Sequence, residues 1–414
     1  MINMIFLYKI HKKEFDIMKN FNKNTGITLI ALVVSIVVLL ILAGVTINAL
    51  FGSNGIISGS TKAKEEYSKS EAKEKVSLLL NEYAIKNTTD EKIDFAKFLR
   101  QSLQVGVAEN DNNTYSFLLG EWQITTDESK IISIEKFNIN VDKTYTSVES
   151  MKSDTELTEG KLVQTEGYYD KCYGGGAYYD IVSATNLTVD SANCIQLNNG
   201  LYAKLHAVND TVTVNQFGTY GDGEHDDASA IQLALNSGYS NVCFESEKYK
   251  FSKNIKLSTD NTHVIGNNAT LFWDEKVEFK TWEQFYIMGS STSHVNNIEI
   301  CNLNFENYNV KGVESVQLLM WYCDNICINN CNFNIERIEG NTERKITNIW
   351  LYNEFSNITI QQCKFRNLTE GEVGGNIWIT GSNDNYICNN LKIENNYIEK
   401  SCCDESIAIW GRYS

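Results

Sequence analysis

Four segments of one pattern, each about one coil from the next, govern what this chain can fold into. They read Ile298-Glu-Ile300-Cys-Asn-Leu303-Asn-Phe305, Ile326-Cys-Ile328-Asn-Asn-Cys331-Asn-Phe333, Ile358-Thr-Ile360-Gln-Gln-Cys363-Lys-Phe365 and Leu391-Lys-Ile393-Glu-Asn-Asn396-Tyr-Ile398. Their starts lie 28, 32 and 33 residues apart. Recurrence at that period marks units that bury their apolar faces against one another. Within each segment apolar residues alternate on both sides of a tight polar turn, so each is two short strands facing one interior. Asparagine tolerates the left-handed backbone such turns need. Of 48 asparagines, 23 lie between Asn296 and Asn396, which places the enrichment in the coils.

A third strand recurs at the same interval: Val316-Gln-Leu318-Leu-Met320-Trp321, Ile349-Trp-Leu351-Tyr352, Ile377-Trp-Ile379-Thr380 and Ile407-Ala-Ile409-Trp410. Stacked coils predict inner columns of like residues, Phe305, Phe333 and Phe365 in one, with Leu303, Cys331 and Cys363 beside it. The eleven cysteines then need no disulfides, since a free thiol packs as a small hydrophobe. No C-x-x-C pair occurs, and the run Cys323, Cys327, Cys331 is read as core, so no metal and no cofactor are expected.

The alternation that turns Ile349, Leu351, Ile377 and Ile379 inward turns Trp350, Tyr352 and Trp378 outward, with Trp321 and Trp410 in the column of Tyr352. At ~4.8 Å between strands these rings form an outer stripe suited to the flat faces of sugar rings.

The N-terminal end differs. Residues 27–51 form an apolar run, and no charge falls between Lys23 and Lys62. Such a run is long enough to cross a bilayer as a helix. Five lysines precede it, which predicts a single-pass protein of the cell membrane with its N-terminus cytoplasmic and its C-terminal part extracellular. Lys-Asn-Thr-Gly26 before Ile27-Thr-Leu-Ile-Ala31 resembles a type IV prepilin N-terminus. The resemblance implies a leader over 1–26, cleavage between Gly26 and Ile27 by a prepilin peptidase, and a retained helix over 27–51. Where that family usually carries a glutamate, this chain has Ala31. Residues 61–86 continue as helix, and 115–136 read as short strands, giving a helix extension and small α+β head over 52–140.

Residues 145–210, with Gly-Tyr-Tyr (167–169) and Gly174-Gly175-Gly176, resemble a lead-in module found before tailspike-like β-helices; a glycine triplet marks a sharp turn or close backbone approach. Val212 to Asn236, with Gly221-Asp222-Gly223 and a helix capped by Asp226 or Asp227, resembles the opening of the pectate-lyase-like superfamily. That resemblance implies a right-handed parallel β-helix over 211–414. The fold class expected is therefore mainly β: a right-handed parallel β-helix preceded by a long transmembrane α-helix and a small α+β head.

Asp404-Glu405-Ser-Ile407-Ala-Ile409 resembles an element of polygalacturonase-type β-helices, and the resemblance implies that Asp404 and Glu405 act in hydrolysis. The Asn-Thr-Asp, Gly-His-Gly and Arg-x-Lys elements of that family have no match here. Glu354 sits roughly 23 Å across the strand face from Glu405, too far to pair with it. Arg412 is a candidate to steady an acidic sugar. The net charge of -16 excludes a generic nucleic-acid binder. The chain stops straight after an apolar strand, so either more coils follow or a partner supplies the cap. Partners expected are a polysaccharide, the membrane through 27–51, the peptidase and a second copy in a homo-oligomer. The leading function is a surface-displayed, membrane-anchored protein that binds a glycan and, as an enzyme, cleaves it in the manner of a polygalacturonase-like glycoside hydrolase or a polysaccharide lyase. The alternatives are a non-catalytic adhesin and a structural subunit of a pilus-like fibre.

Overall fold

The computed structural model describes residues 56–88, 92–170, 173–183, 186, 188–273, 283–307, 315–335, 346–368, 375–381, 388–401 and 406–410. The chain divides into two compact units, 1–71 and 72–414, and the division falls within helix α1 (Ile56–Lys86). The apolar run 27–51, the leader and the Gly26–Ile27 junction lie outside the described residues. Among the described residues no helix is long and apolar enough to cross a membrane.

In the larger unit, the end of α1 contributes Val76, Leu80 and Tyr83 to a small core. Helix α2 (Phe95–Leu103) adds Phe95, Leu99 and Leu103, and its first turn is capped by the Asp94 carboxylate, which accepts from the Lys97 amide at 2.6 Å. A four-stranded antiparallel meander (Val107–Asn110, Thr114–Leu119, Trp122–Thr126, Ile131–Lys136) closes this head with Phe117 and Ile124.

The lead-in is a five-stranded sheet over 143–205 with the short helix α3 (Val148–Lys152). Its glycine triplet serves close approach: Gly175 has φ +75°, and a Cβ there would lie 2.1 Å from the Asn215 carbonyl oxygen. Helix α4 (Ala228–Leu235) follows the Gly-Asp-Gly turn. Asp227 stands at its N-cap position, but its carboxylate turns back to the loop and accepts from the amides of Tyr220 (2.7 Å) and Gly221 (3.1 Å). Asp226 accepts from Ala228 N instead, at 3.2 Å.

From 211 onward the chain winds a parallel β-solenoid. Its first face holds Thr211–Thr213, Asn241–Cys243, His263–Ile265, Val295–Cys301, the second halves of two long strands (Ser315–Asn329 and Ile346–Gln361), and Cys388–Glu394. The second face is a sheet of seven strands, from Asp222–Asp226 to Tyr397–Ser401. The third face holds Ile255–Leu257, Glu283–Met288, the first halves of the two long strands, Gly375–Thr380 and Ile407–Trp410.

The inner columns match the sequence pattern. Phe305, Phe333 and Phe365 stack at 4.9 and 5.2 Å with nearly parallel rings, the spacing of neighbouring strands. Leu303, Cys331 and Cys363 are fully buried beside them, and the described cysteines are free. Between the first and second faces Asn302, Asn330, Gln362 and Asn395 turn with φ from 50° to 56°. A second left-handed column at the entrance to the first face, Asn261, Asn297, Asn325, Asn357 and Asn390, carries a ladder of side-chain amides. Asn357 Nδ2 donates to Asn325 at 3.0 Å, and Asn390 Nδ2 to Asn357 at 2.9 Å.

The head packs on the outer side of the first face. Arg100 Nε lies 3.0 Å from Glu299 Oε2, with both side chains 4% exposed, and Gln101 Nε2 donates to the other Glu299 oxygen at 2.7 Å. Burial, with the nearby Arg100 and Lys97 charges, pushes His263 down to about 3, although Glu299 stands 3.7 Å from its ring.

Candidate functional site

Register fixes what the outer side of the third face carries. One column runs Trp321, Tyr352, Thr380, Trp410, and its neighbour runs Leu319, Trp350, Trp378, Ala408. Inward residues between them, Leu318, Met320, Ile349 and Leu351, are wholly buried. Trp321, Trp350, Tyr352 and Trp378 therefore share one outer face, and their rings form a chain of edge contacts. Trp321 and Tyr352 lie 4.9 Å apart, Tyr352 and Trp350 5.4 Å, Trp350 and Trp378 5.8 Å.

The expectation of a row of open rings is corrected in one place. Trp378 is only 8% exposed, while Trp321, Trp350 and Tyr352 are half-buried. Edge-on packing explains the loss, because each ring covers the flank of the next. Trp350 donates its indole N–H to Thr380 Oγ1 at 2.7 Å. The indole nitrogens of Trp321 and Trp378 are buried with no hydrogen-bond partner. Of Trp410 the backbone alone is described. Asp404, Glu405 and Arg412 lie outside the described residues.

Where the third face turns into the first, next to this stripe, the structure assembles an acidic pair that the sequence reading did not find. His294 Nδ1 lies 3.0 Å from Asp324 Oδ2, and His294 Nε2 lies 3.5 Å from Glu354 Oε2. Ser356 sits one rung from Asp324 in direct register and donates to its second oxygen at 2.5 Å. Tyr322, at φ +52°, turns its ring toward both His294 (5.6 Å) and Trp321 (5.2 Å), which makes stripe and acids continuous. All three titratable side chains are partly open to solvent. The signal in the sequence was spacing: His294, Asp324 and Glu354 follow one another at 30 residues, one coil each.

His294 stands between the two carboxylates, hydrogen-bonded to Asp324 and 3.5 Å from Glu354. The carboxylates approach opposite edges of the ring, so the three groups do not converge on a point. Among the described residues no cluster of His, Cys, Asp and Glu is placed to hold a metal ion.

Residues 211–409 match the family model described as rhamnogalacturonase A/epimerase, pectate lyase-like. A search of curated proteins gave no match. Among solved structures, tailspike protein 2 of an Escherichia coli O157:H7 bacteriophage is 12% identical, covering 73% of this chain and 60% of its own, with a TM-score of 0.33. The tailspike of Acinetobacter phage AS12 is 16% identical, covering 62% and 56%, with a TM-score of 0.37. WceF of Pantoea stewartii, titled a glycan biofilm modifying enzyme with a tailspike-like parallel β-helix fold, is 12% identical, covering 73% and 56%, with a TM-score of 0.29. The chain thus spans a little over half the length of these three proteins.

Proposed function

We propose that this chain binds a polysaccharide along Trp321, Trp350 and Tyr352 on the third face and hydrolyses it at Asp324 and Glu354. The observation that carries the reading is the continuity of rings and acids through Tyr322. Half-buried rings offer sugar C–H faces a platform. Asp324, fixed by hydrogen bonds from Ser356 and His294, is oriented to accept a proton from water. Glu354, held by one longer contact, is the group free to give a proton to the leaving oxygen. The match of 211–409 to a family model of pectate-lyase-like enzymes agrees with carbohydrate as the substrate class. Display outside the cell, on a membrane helix over 27–51, belongs to the same proposal and rests on the uncharged run and the lysines before it.

Release of reducing ends from a polysaccharide panel tests it. Asp324→Asn and Glu354→Gln are each expected to lower the rate roughly a hundredfold or more while binding is retained. Trp350→Ala is expected to weaken binding roughly tenfold or more. If Asp404→Asn abolishes cleavage while Asp324→Asn and Glu354→Gln do not, the reaction belongs to the C-terminal acids and this assignment is wrong.

The adhesin is the second reading, and one observation favours it: the His294 ring fills the gap between the two carboxylates, where a water molecule would have to stand. Retention of glycan by the wild-type chain with no cleavage of any member of the panel would decide for it.

A further inference from the structure

A second candidate site lies where the head meets the outer side of the first face. Lys86, residues 92–102 and the outer side of the rungs that carry Asn302, Asn330, Gln362 and Lys392 line a cleft of about 530 Å³, within the ~300–1,000 Å³ of small-ligand sites. Its walls carry four lysines, Lys86, Lys92 and Lys97 from the head and Lys392 from the solenoid. Two carboxylates, Asp94 and Glu394, also reach it, and Asp94 is engaged in capping α2. Lys86 is also paired with Glu82 at 2.7 Å, so on a chain of net charge -16 the lining keeps a modest positive balance.

The cleft wall supplies an independent observation. Asn302 is 2% exposed, and its amide oxygen accepts from Asn330 Nδ2 at 2.6 Å. Its own Nδ2 is buried with no partner. A buried donor left unsatisfied costs ~1–3 kcal/mol, so its place in the wall of a lysine-lined cleft points to an acceptor arriving from outside. Asn302 cannot simply rotate to lose the donor, because its oxygen is held by Asn330 and its backbone is the left-handed corner residue of the coil, at φ +56°.

We propose that this cleft binds a phosphate group carried by a larger ligand. No arginine lines it, and arginine is the side chain whose planar fork matches a carboxylate in two parallel bonds. Lysine ammoniums are point charges that suit the tetrahedral array of phosphate oxygens, and the Asn302 amide adds one directed donor. The proposal does not depend on the glycan reading of the stripe.

The test uses the full chain in detergent, titrated with inorganic phosphate and with poly(glycerol phosphate), and read by ³¹P NMR and calorimetry. Polygalacturonate serves as the carboxylate control. Both phosphates are expected to bind, with polygalacturonate weaker. The double variant Lys92→Glu/Lys392→Glu is expected to weaken phosphate binding about tenfold or more without changing the melting temperature, since these side chains are exposed and half-buried. Asn302→Asp keeps the acceptor for Asn330, tolerates the same backbone and replaces the donor by a negative charge, so it is expected to lose phosphate as well. Polymer bound more tightly than inorganic phosphate, per phosphate, identifies a phosphodiester ligand; equal affinity identifies free phosphate. Unchanged phosphate affinity in the double variant, or polygalacturonate binding as tightly as phosphate, overturns the proposal.

Discussion

Two long strands run through both the first and the third face of the solenoid, yet the outer sides of those faces have opposite fates. On the first face the outward column of His263, Glu299 and Cys327 is roofed by helix α2 and sealed by the Arg100–Glu299 ion pair. On the third face the outward positions are aromatic, pack edge to edge, and end in the open His294–Asp324–Glu354 cluster. Strand alternation alone makes an outer column; what docks on it decides whether that column is structure or site. A charge enclosed under α2 is committed to stability, whereas the acids at the edge of the stripe keep solvent contact and can meet a ligand.

The strongest way to break this comparison is to unseal the roofed face. Glu299→Ala would leave the buried Arg100 guanidinium with the exposed Glu109 carboxylate at 3.5 Å and Gln101 with the Cys327 thiol at 4.0 Å. Removing one member of a buried pair costs ~3–5 kcal/mol. Urea unfolding is expected to show a loss of that size. Replacing both partners, Arg100→Met with Glu299→Leu, is expected to restore most of it, because well-packed apolar groups substitute for a buried pair at little cost. Equal losses in single and double variants would mean that the head is held by other contacts.

Acidification tests the same seal more gently. His263 is neutral in the folded protein and titrates near 3, while the unfolded chain takes up the proton near ~6.5. Between those values the unfolded state binds more protons, so stability falls as pH falls, by up to ~1.4 kcal/mol per pH unit from this group. The contribution is complete above pH ~6.5 and is lost on the way down to about 3. Carboxylates titrate in the lower part of the window, so the informative quantity is the difference between wild type and His263→Gln. That difference is expected to open below pH 6.5, with amide exchange of α2 rising first.

How much of this was legible in the sequence follows from the kind of contact. Phe305, Phe333 and Phe365 could be assigned to one column because coil stacking repeats a local period-2 pattern, and a repeat announces itself. The docking of Arg100 on Glu299 could not, since the two are 199 residues apart and neither belongs to a pattern. The site falls between these cases. Trp350 and Tyr352 were placed correctly by alternation. Trp378 was placed on the correct side, but its burial depends on how rings lean on one another, which alternation does not encode. His294, Asp324 and Glu354 sit where Tyr322 shifts the register of the strand, so they leave the column pattern even though their 30-residue spacing keeps the coil period.

The smallest effect separates backbone from ladder at a corner both faces share. Asn357 adopts φ +53° and takes part in two exposed amide contacts, donating to Asn325 and accepting from Asn390. Alanine there would lose both contacts and still have to hold the left-handed conformation, which costs ~1–2 kcal/mol for a residue with a Cβ. Glycine would lose the same contacts but relax the backbone, and solvent replaces exposed amide bonds at little net cost. Asn357→Ala is therefore expected to lower stability by about 1–2 kcal/mol, and Asn357→Gly by a few tenths, read from chemical denaturation. If glycine proved as costly as alanine, the amide ladder rather than the left-handed backbone would be what asparagine supplies at these corners.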